Sequence, residues 1–83
     1  MAYITQLKWQ NKFNDYSDEQ QKILLGLSHD QYKWRTKERL NSITGLDPKT
    51  LDSELADLIS KNIIRPSFSK SRKVIFGLRE RVG

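Results

Sequence analysis

The sequence predicts a small α+β domain: a three-helix core, one short strand and a C-terminal β-hairpin. Three patterns carry that expectation. Two helical stretches are separated only by Gly45-Leu46-Asp47. The second of them places Leu51, Leu55, Leu58 and Ile59 at i, i+4, i+7 and i+8, the stripe of an amphipathic helix that runs to about Lys61. Two apolar-rich runs, 63–68 and 73–78, then flank Ser69-Lys70-Ser71-Arg72, a polar loop of hairpin length. With 83 residues the chain has room for one domain, read here as 17–83, preceded by an N-terminal extension, 1–16.

Taken in order, the extension carries Trp9, Phe13 and Tyr16 at helical spacing, so the three aromatics would share one face. That face either covers the domain's own core or forms an exposed stripe that pairs with a second copy of the chain or another protein. Ser17 opens the first helix: with Gln20 it forms a capping-box pattern, and Asp18 and Glu19 suit the positive end of the helix dipole. Ile23, Leu24 and Leu27 mark its buried face, and Ser28-His29-Asp30 reads as a loop. Tyr32-Lys33-Trp34-Arg35-Thr36 alternates aromatic and basic residues, the period-2 signature of a half-buried strand. Thr36 is also a good N-cap for a second helix with Leu40 and Ile43 turned inward. Gly45 ends that helix in the left-handed region, and Asp47-Pro48 starts the third with a cap and a residue that needs no N–H. Pro66 weakens the ladder of the first hairpin run and suggests an edge position.

Composition narrows the function. There are no cysteines, which excludes disulfides and thiolate metal sites, and residues 1–10 lack the apolar run of a signal peptide or membrane span. The cytoplasm is therefore the default location. The net charge of +5 is unevenly spread. Residues 1–60 hold eight Lys/Arg against nine Asp/Glu, whereas residues 61–83 hold seven against Glu80 alone. The excess lies wholly in the last quarter of the chain, which is either the footprint of a polyanion partner or a solubilising charged hairpin.

Helix, short strand, helix, tight Gly-containing turn, helix and hairpin is the order of a winged helix-turn-helix. From about Ser17 to Arg81 the chain resembles the winged-helix families of prokaryotic transcription regulators. The resemblance rests on Thr36-Lys37-Glu38-Arg39-Leu40 through Thr44-Gly45-Leu46-Asp47, on the leucine stripe, and on Lys61-Asn62-Ile63-Ile64-Arg65 leading into the wing. The chain also looks like small winged-helix modules appended to larger bacterial proteins, in which a strand like Tyr32-Lys33-Trp34-Arg35-Thr36 precedes the helix-turn-helix.

The resemblance implies a transcription-regulatory module for double-stranded DNA. The helix from Pro48 would enter the major groove, with Lys49, Thr50 and Ser53 directed outward to bases or backbone. Thr36 and Lys37 would sit near the phosphates, and the wing residues Lys70, Ser71, Arg72 and Lys73 would straddle phosphates or enter the minor groove. Each basic residue has a plainer reading as a solvated surface charge. Against a strong DNA reading, the third helix carries Asp52, Glu54 and Asp57, which repel phosphate unless they face away. The alternative is a protein-interaction module that docks through that acidic helix or the Trp9/Phe13/Tyr16 face. Trp34 reads either as a base-stacking ring or, better, as part of the core beneath the wing. No catalytic, cofactor or metal motif surrounds the single histidine, His29, which reads as a surface or cap residue. An enzyme, a cofactor and a sizeable pocket are accordingly not expected.

Overall fold

A computed structural model describes residues 14–29 and 31–82. Most of the aromatic face predicted for the extension, Trp9 and Phe13, lies outside the described residues; Tyr16 packs against the core. Among the described residues the elements run α1 (Asp18–Leu27), β1 (Arg35–Thr36), α2 (Lys37–Thr44), α3 (Pro48–Ser60), β2 (Ile64–Phe68), β3 (Val74–Leu78) and α4 (Arg79–Val82). The three strands form an antiparallel sheet in the order β1-β3-β2.

All three long helices start on the side-chain caps expected of them. The Ser17 hydroxyl accepts from the Gln20 N–H, Thr36 from Arg39, and Asp47 from Thr50. Each satisfies one of the backbone donors that a helix leaves over at its start. The capping box at Ser17 does not close, however. The Gln20 side chain is buried and donates instead to the Asp57 carboxylate at 2.7 Å, tying α1 to α3. A buried amide has more to gain from a charged acceptor than from a backbone N–H near solvent.

The turn between α2 and α3 is pinned from both sides. Gly45 has φ 71°, Asn41 donates its side-chain amide to the Leu46 carbonyl, and the Thr44 hydroxyl accepts from the Leu46 N–H. α3 ends in a Schellman motif: Asn62 takes φ 60°, its N–H reaches the Ile59 carbonyl, and the Ile63 N–H reaches that of Leu58. Asparagine tolerates the left-handed region, so no glycine is needed there.

The core gathers Ile23, Leu24 and Leu27 from α1, Leu40 from α2, Leu51, Leu55 and Leu58 from α3, Ile64 from β2 and Phe76 and Leu78 from β3. One inward residue was misassigned. Ile43 is 41% exposed, and Thr44 shares the buried face with Leu40. Positions 40 and 44 lie one above the other, and an eight-residue helix has only one such stripe; Ile43 turns toward Gly26 of α1 instead.

The strand expected over 32–36 shrinks to Arg35–Thr36, because only these two residues meet β3, opposite Phe76 and Ile75. Its sidedness also departs from expectation: Tyr32 is exposed and Arg35 is buried. The backbone of Lys33 and the ring of Trp34 instead cross over Gly77. β2 is an edge strand, as Pro66 suggested, but the proline costs no ladder bond. The Ser69–Lys73 and Ile63–Arg79 hydrogen bonds fix the phase of the hairpin, and that phase makes Pro66↔Phe76 a non-hydrogen-bonded pair. The Pro66 nitrogen therefore faces outward. α4 was not foreseen. It places Arg81 where one guanidinium nitrogen donates to the carbonyls of Leu27, His29 and Tyr32, closing the end of α1.

Gly77 is required by proximity. A Cβ there would lie 2.9 Å from the Lys33 carbonyl oxygen and 3.0 Å from the Trp34 ring. Because the nearer obstacle is backbone, Gly77→Ala is expected to cost about 1–3 kcal/mol in urea unfolding. A loss within error of zero would show that the Lys33–Trp34 segment yields freely.

Candidate nucleic-acid interface

The residues expected to face a ligand from α2 and α3 meet at one contact. Lys37, at the start of α2, forms a salt bridge of 2.5 Å with Asp52 on α3. That contact joins the first turn of α2 to the outward side of α3, where Lys49 and Ser53 are exposed. Asp52 and Ser53 lie just beyond the leucine stripe because the Leu51/Leu55/Leu58 side is fully occupied by the core.

Two expected contact hydroxyls are already engaged. The Thr50 O–H donates to Asp47 at 2.6 Å, and Thr36 Oγ1 accepts from the Arg39 N–H at 3.1 Å. The Thr50 hydroxyl, followed by its N–H, holds the Asp47 carboxyl below the ordinary carboxylate range. The outward surface of this half is therefore left to Lys49 and Ser53 beside the half-exposed Glu54, with Lys37 shared with Asp52.

Two of the three carboxylates that seemed to oppose an anionic ligand are accounted for. Asp52 faces Lys37, and Asp57 accepts from Gln20 on the α1 side while pairing with Lys61 at 3.0 Å. Lys61, then Gln20, hold the Asp57 carboxyl below its usual range. Both pairs are solvent-exposed and each contributes little to stability, yet they determine where negative charge is displayed.

The β2–β3 loop is the most basic loop of the chain. Lys70, Ser71, Arg72 and Lys73 are exposed, and among the described residues Lys70, Arg72 and Lys73 face no carboxylate. The loop is held by its own bonds: the Ser69 N–H to the Lys73 carbonyl, the Arg72 N–H to the Ser69 carbonyl, and the Lys73 N–H to the Ser69 hydroxyl. Ser71 Oγ lies 3.0 Å from Ser69 Oγ, so this hydroxyl serves the turn. Arg72 sits at φ 63°, the left-handed position that follows the turn in a short hairpin and that glycine usually fills.

Comparisons with protein-family models, curated proteins and solved structures find no match.

The structure adds two residues of the hairpin that the sequence pattern had not singled out. Phe68 is 71% exposed and Val74 41%, and they face each other across the hairpin. They continue the row that runs from Ile64/Leu78 through Pro66/Phe76, so the apolar face of the hairpin extends beyond the helices that cover its base. Strict period-2 counting from Ile64 would have found Phe68 on that face.

The basic tail is less available than its count suggested. Arg81 is committed to three carbonyls, Arg65 reaches the Val82 carbonyl at 3.4 Å, and Lys61 pairs with Asp57. His29, expected as a surface or cap residue, is buried and acts as the latter: its Nδ1 accepts from the Gln31 N–H, and its ring lies 5.2 Å from that of Tyr32. The sequence reading also expected no sizeable pocket. A cleft of about 270 Å³ nevertheless opens between α1 and α2. Among the described residues no group of three His, Cys, Asp or Glu could hold a metal ion, and no helix is long and apolar enough to cross a membrane.

Two measurements test this geometry. Arg72→Gly is expected to raise unfolding stability by about 0.5–1 kcal/mol, since glycine pays no steric cost at positive φ but more chain entropy. A destabilised variant would place Arg72 elsewhere. The Asp47 carboxyl is depressed in the folded state, so its capping contribution is present above the ordinary pKa of about 4 and lost as pH falls through the lower folded value. The urea midpoint should therefore fall in acid, and fall less in Asp47→Asn; equal acid loss in both proteins would refute the assignment.

Proposed function

We propose that this chain is a winged helix-turn-helix module of transcription-regulatory type that binds double-stranded DNA. The observation that carries the reading is the hairpin loop, where Lys70, Arg72 and Lys73 project together with no carboxylate facing them among the described residues. Three supports accompany it: the element order, the pinned Gly45-Leu46-Asp47 turn, and an α3 whose non-leucine side is exposed.

In this reading α3 approaches the major groove and presents Lys49 and Ser53, while Lys37 divides its charge between Asp52 and a nearby phosphate. The wing supplies most of the affinity. Its cations lie along the backbone or at the minor groove, and Phe68 rests on sugar or base edges beside them. With few base-reading groups on α3, binding is weakly selective and strongly dependent on salt.

A second reading, a protein-docking module, is favoured by one observation, the exposed Phe68/Val74 pair. The two readings differ in what the wing charges do. Three phosphate contacts give a log–log salt slope near −2.7, about a 40-fold loss of affinity between 50 and 200 mM salt. Replacing Lys70, Arg72 and Lys73 together by alanine is expected to weaken binding to every duplex and to remove most of that slope, as read by fluorescence anisotropy on a mixed-sequence duplex. Absence of any duplex binding at low salt, or an unchanged slope in the triple variant, would sink the DNA reading.

A further inference from the structure

The cleft between α1 and α2 is bounded on one side by Arg35 of β1, and that arginine is only 8% exposed. Its Nε–H donates to the Gly26 carbonyl at 3.0 Å, and its guanidinium carbon lies 4.9 Å from the centre of the Tyr32 ring. Those contacts engage the stem and one face of the group. Nothing among the described residues accepts from Nη1 or Nη2. A guanidinium this buried pays a desolvation cost that one neutral acceptor and one ring offset only in part.

The surroundings increase the imbalance. Lys22 of α1 and Arg39 of α2 line the same cleft, no carboxylate does, and neither cation makes a salt bridge among the described residues. The remaining wall comes from Leu25, Gly26 and Ile43, with His29 as its one further polar side chain among the described residues. Gly26 lets Ile43 pack directly over the α1 backbone at the cleft floor, since a Cβ there would fall 2.7 Å from Ile43 Cδ1. The cleft also explains why Ile43 is exposed: it lines a cavity where a core contact was expected.

We propose that this cleft binds a small organic carboxylate whose oxygens pair with the Arg35 guanidinium and whose apolar body lies between Leu25 and Ile43. The planar fork of arginine matches a carboxylate through two parallel hydrogen bonds. Lys22 and Arg39 add attraction at the rim. At about 270 Å³ the cavity falls just short of the roughly 300–1,000 Å³ of drug-sized sites, so it suits a one-ring or branched-chain acid and is too small for a nucleotide. An inorganic anion would leave the apolar wall unused. The site does not depend on the DNA reading and would stand if that reading fell.

NMR titration of the whole chain tests it, with benzoate as the probe, benzamidine as its cationic counterpart of similar shape, and inorganic phosphate as the bare anion. Saturable shifts are expected with benzoate at the Gly26 amide, the Arg35 Nε–H and the Ile43 methyls, with none from benzamidine. Arg35→Met is expected to weaken benzoate at least about tenfold, as loss of a bidentate charge-assisted pair implies. Arg39→Glu, a change on an exposed side chain, is expected to weaken it as well and carries the test if Arg35→Met does not fold. No saturable shift with benzoate, equal shifts with benzamidine, unchanged benzoate affinity in Arg39→Glu, or tighter binding of phosphate than of benzoate each overturns the proposal.

Discussion

The burial of one side of α3 sets the terms for everything around it. Leu51, Leu55 and Leu58 are almost wholly withdrawn from solvent, and the core contributions of α1, α2 and the hairpin are arranged about them. Each such leucine is worth roughly 2–5 kcal/mol against its loss to alanine, a large share of the 5–15 kcal/mol that holds a typical domain folded. Rotation of α3 about its own axis is therefore not adjustable. The Gln20–Asp57 hydrogen bond fixes it further, because it requires one flank of the helix to face α1. What α3 can show to a ligand is whatever remains, chiefly Lys49, Asp52 with its bound Lys37, Ser53 and the half-exposed Glu54, whose carboxylate opposes an anion.

Local physics made much of this legible in advance. Ser17, Thr36 and Asp47 act within three residues of themselves, so a helix start depends on little beyond the neighbouring sequence. The same holds for Gly45, the leucine stripe and the basic hairpin loop. The misreadings share a different cause: each involves a residue whose partner is far away in sequence. Gln20 left its cap for Asp57, and Ile43 packed over Gly26 of α1. The strand at 32–36 was shortened because Lys33 and Trp34 cross over Gly77 and do not pair with β3, and α4 formed in a segment that looked only like a basic tail. Within the candidate interface, the exposed cations could be read from sequence. That the Thr36 hydroxyl serves as a helix cap could be foreseen, whereas the bond from the Thr50 hydroxyl to the Asp47 cap could not.

Charge in this molecule is divided between two uses. Arg81 and Lys61 serve the fold, one by closing three carbonyls and the other by flanking Asp57, and the net positive balance of the tail overstates what a partner would meet. Lys70, Arg72 and Lys73 on the wing and Lys22, Arg35 and Arg39 at the α1–α2 cleft have no acidic partner among the described residues. Both groups lie beside apolar side chains: Phe68 and Val74 on the wing, Leu25 and Ile43 in the cleft. Positive charge next to apolar surface favours ligands that are themselves anionic at one end and greasy at the other.

The register at Pro66 has a further effect on how copies of the chain behave toward one another. A sheet with an open margin invites another extended segment to join it, which is how many small proteins polymerise. One margin here is β1, only two residues long. The other is β2, where the outward-facing position opposite Phe76 is a ring nitrogen that carries no hydrogen. An incoming peptide would find its hydrogen-bond row interrupted at mid-strand, so the hairpin can stand clear of the body without seeding fibrils.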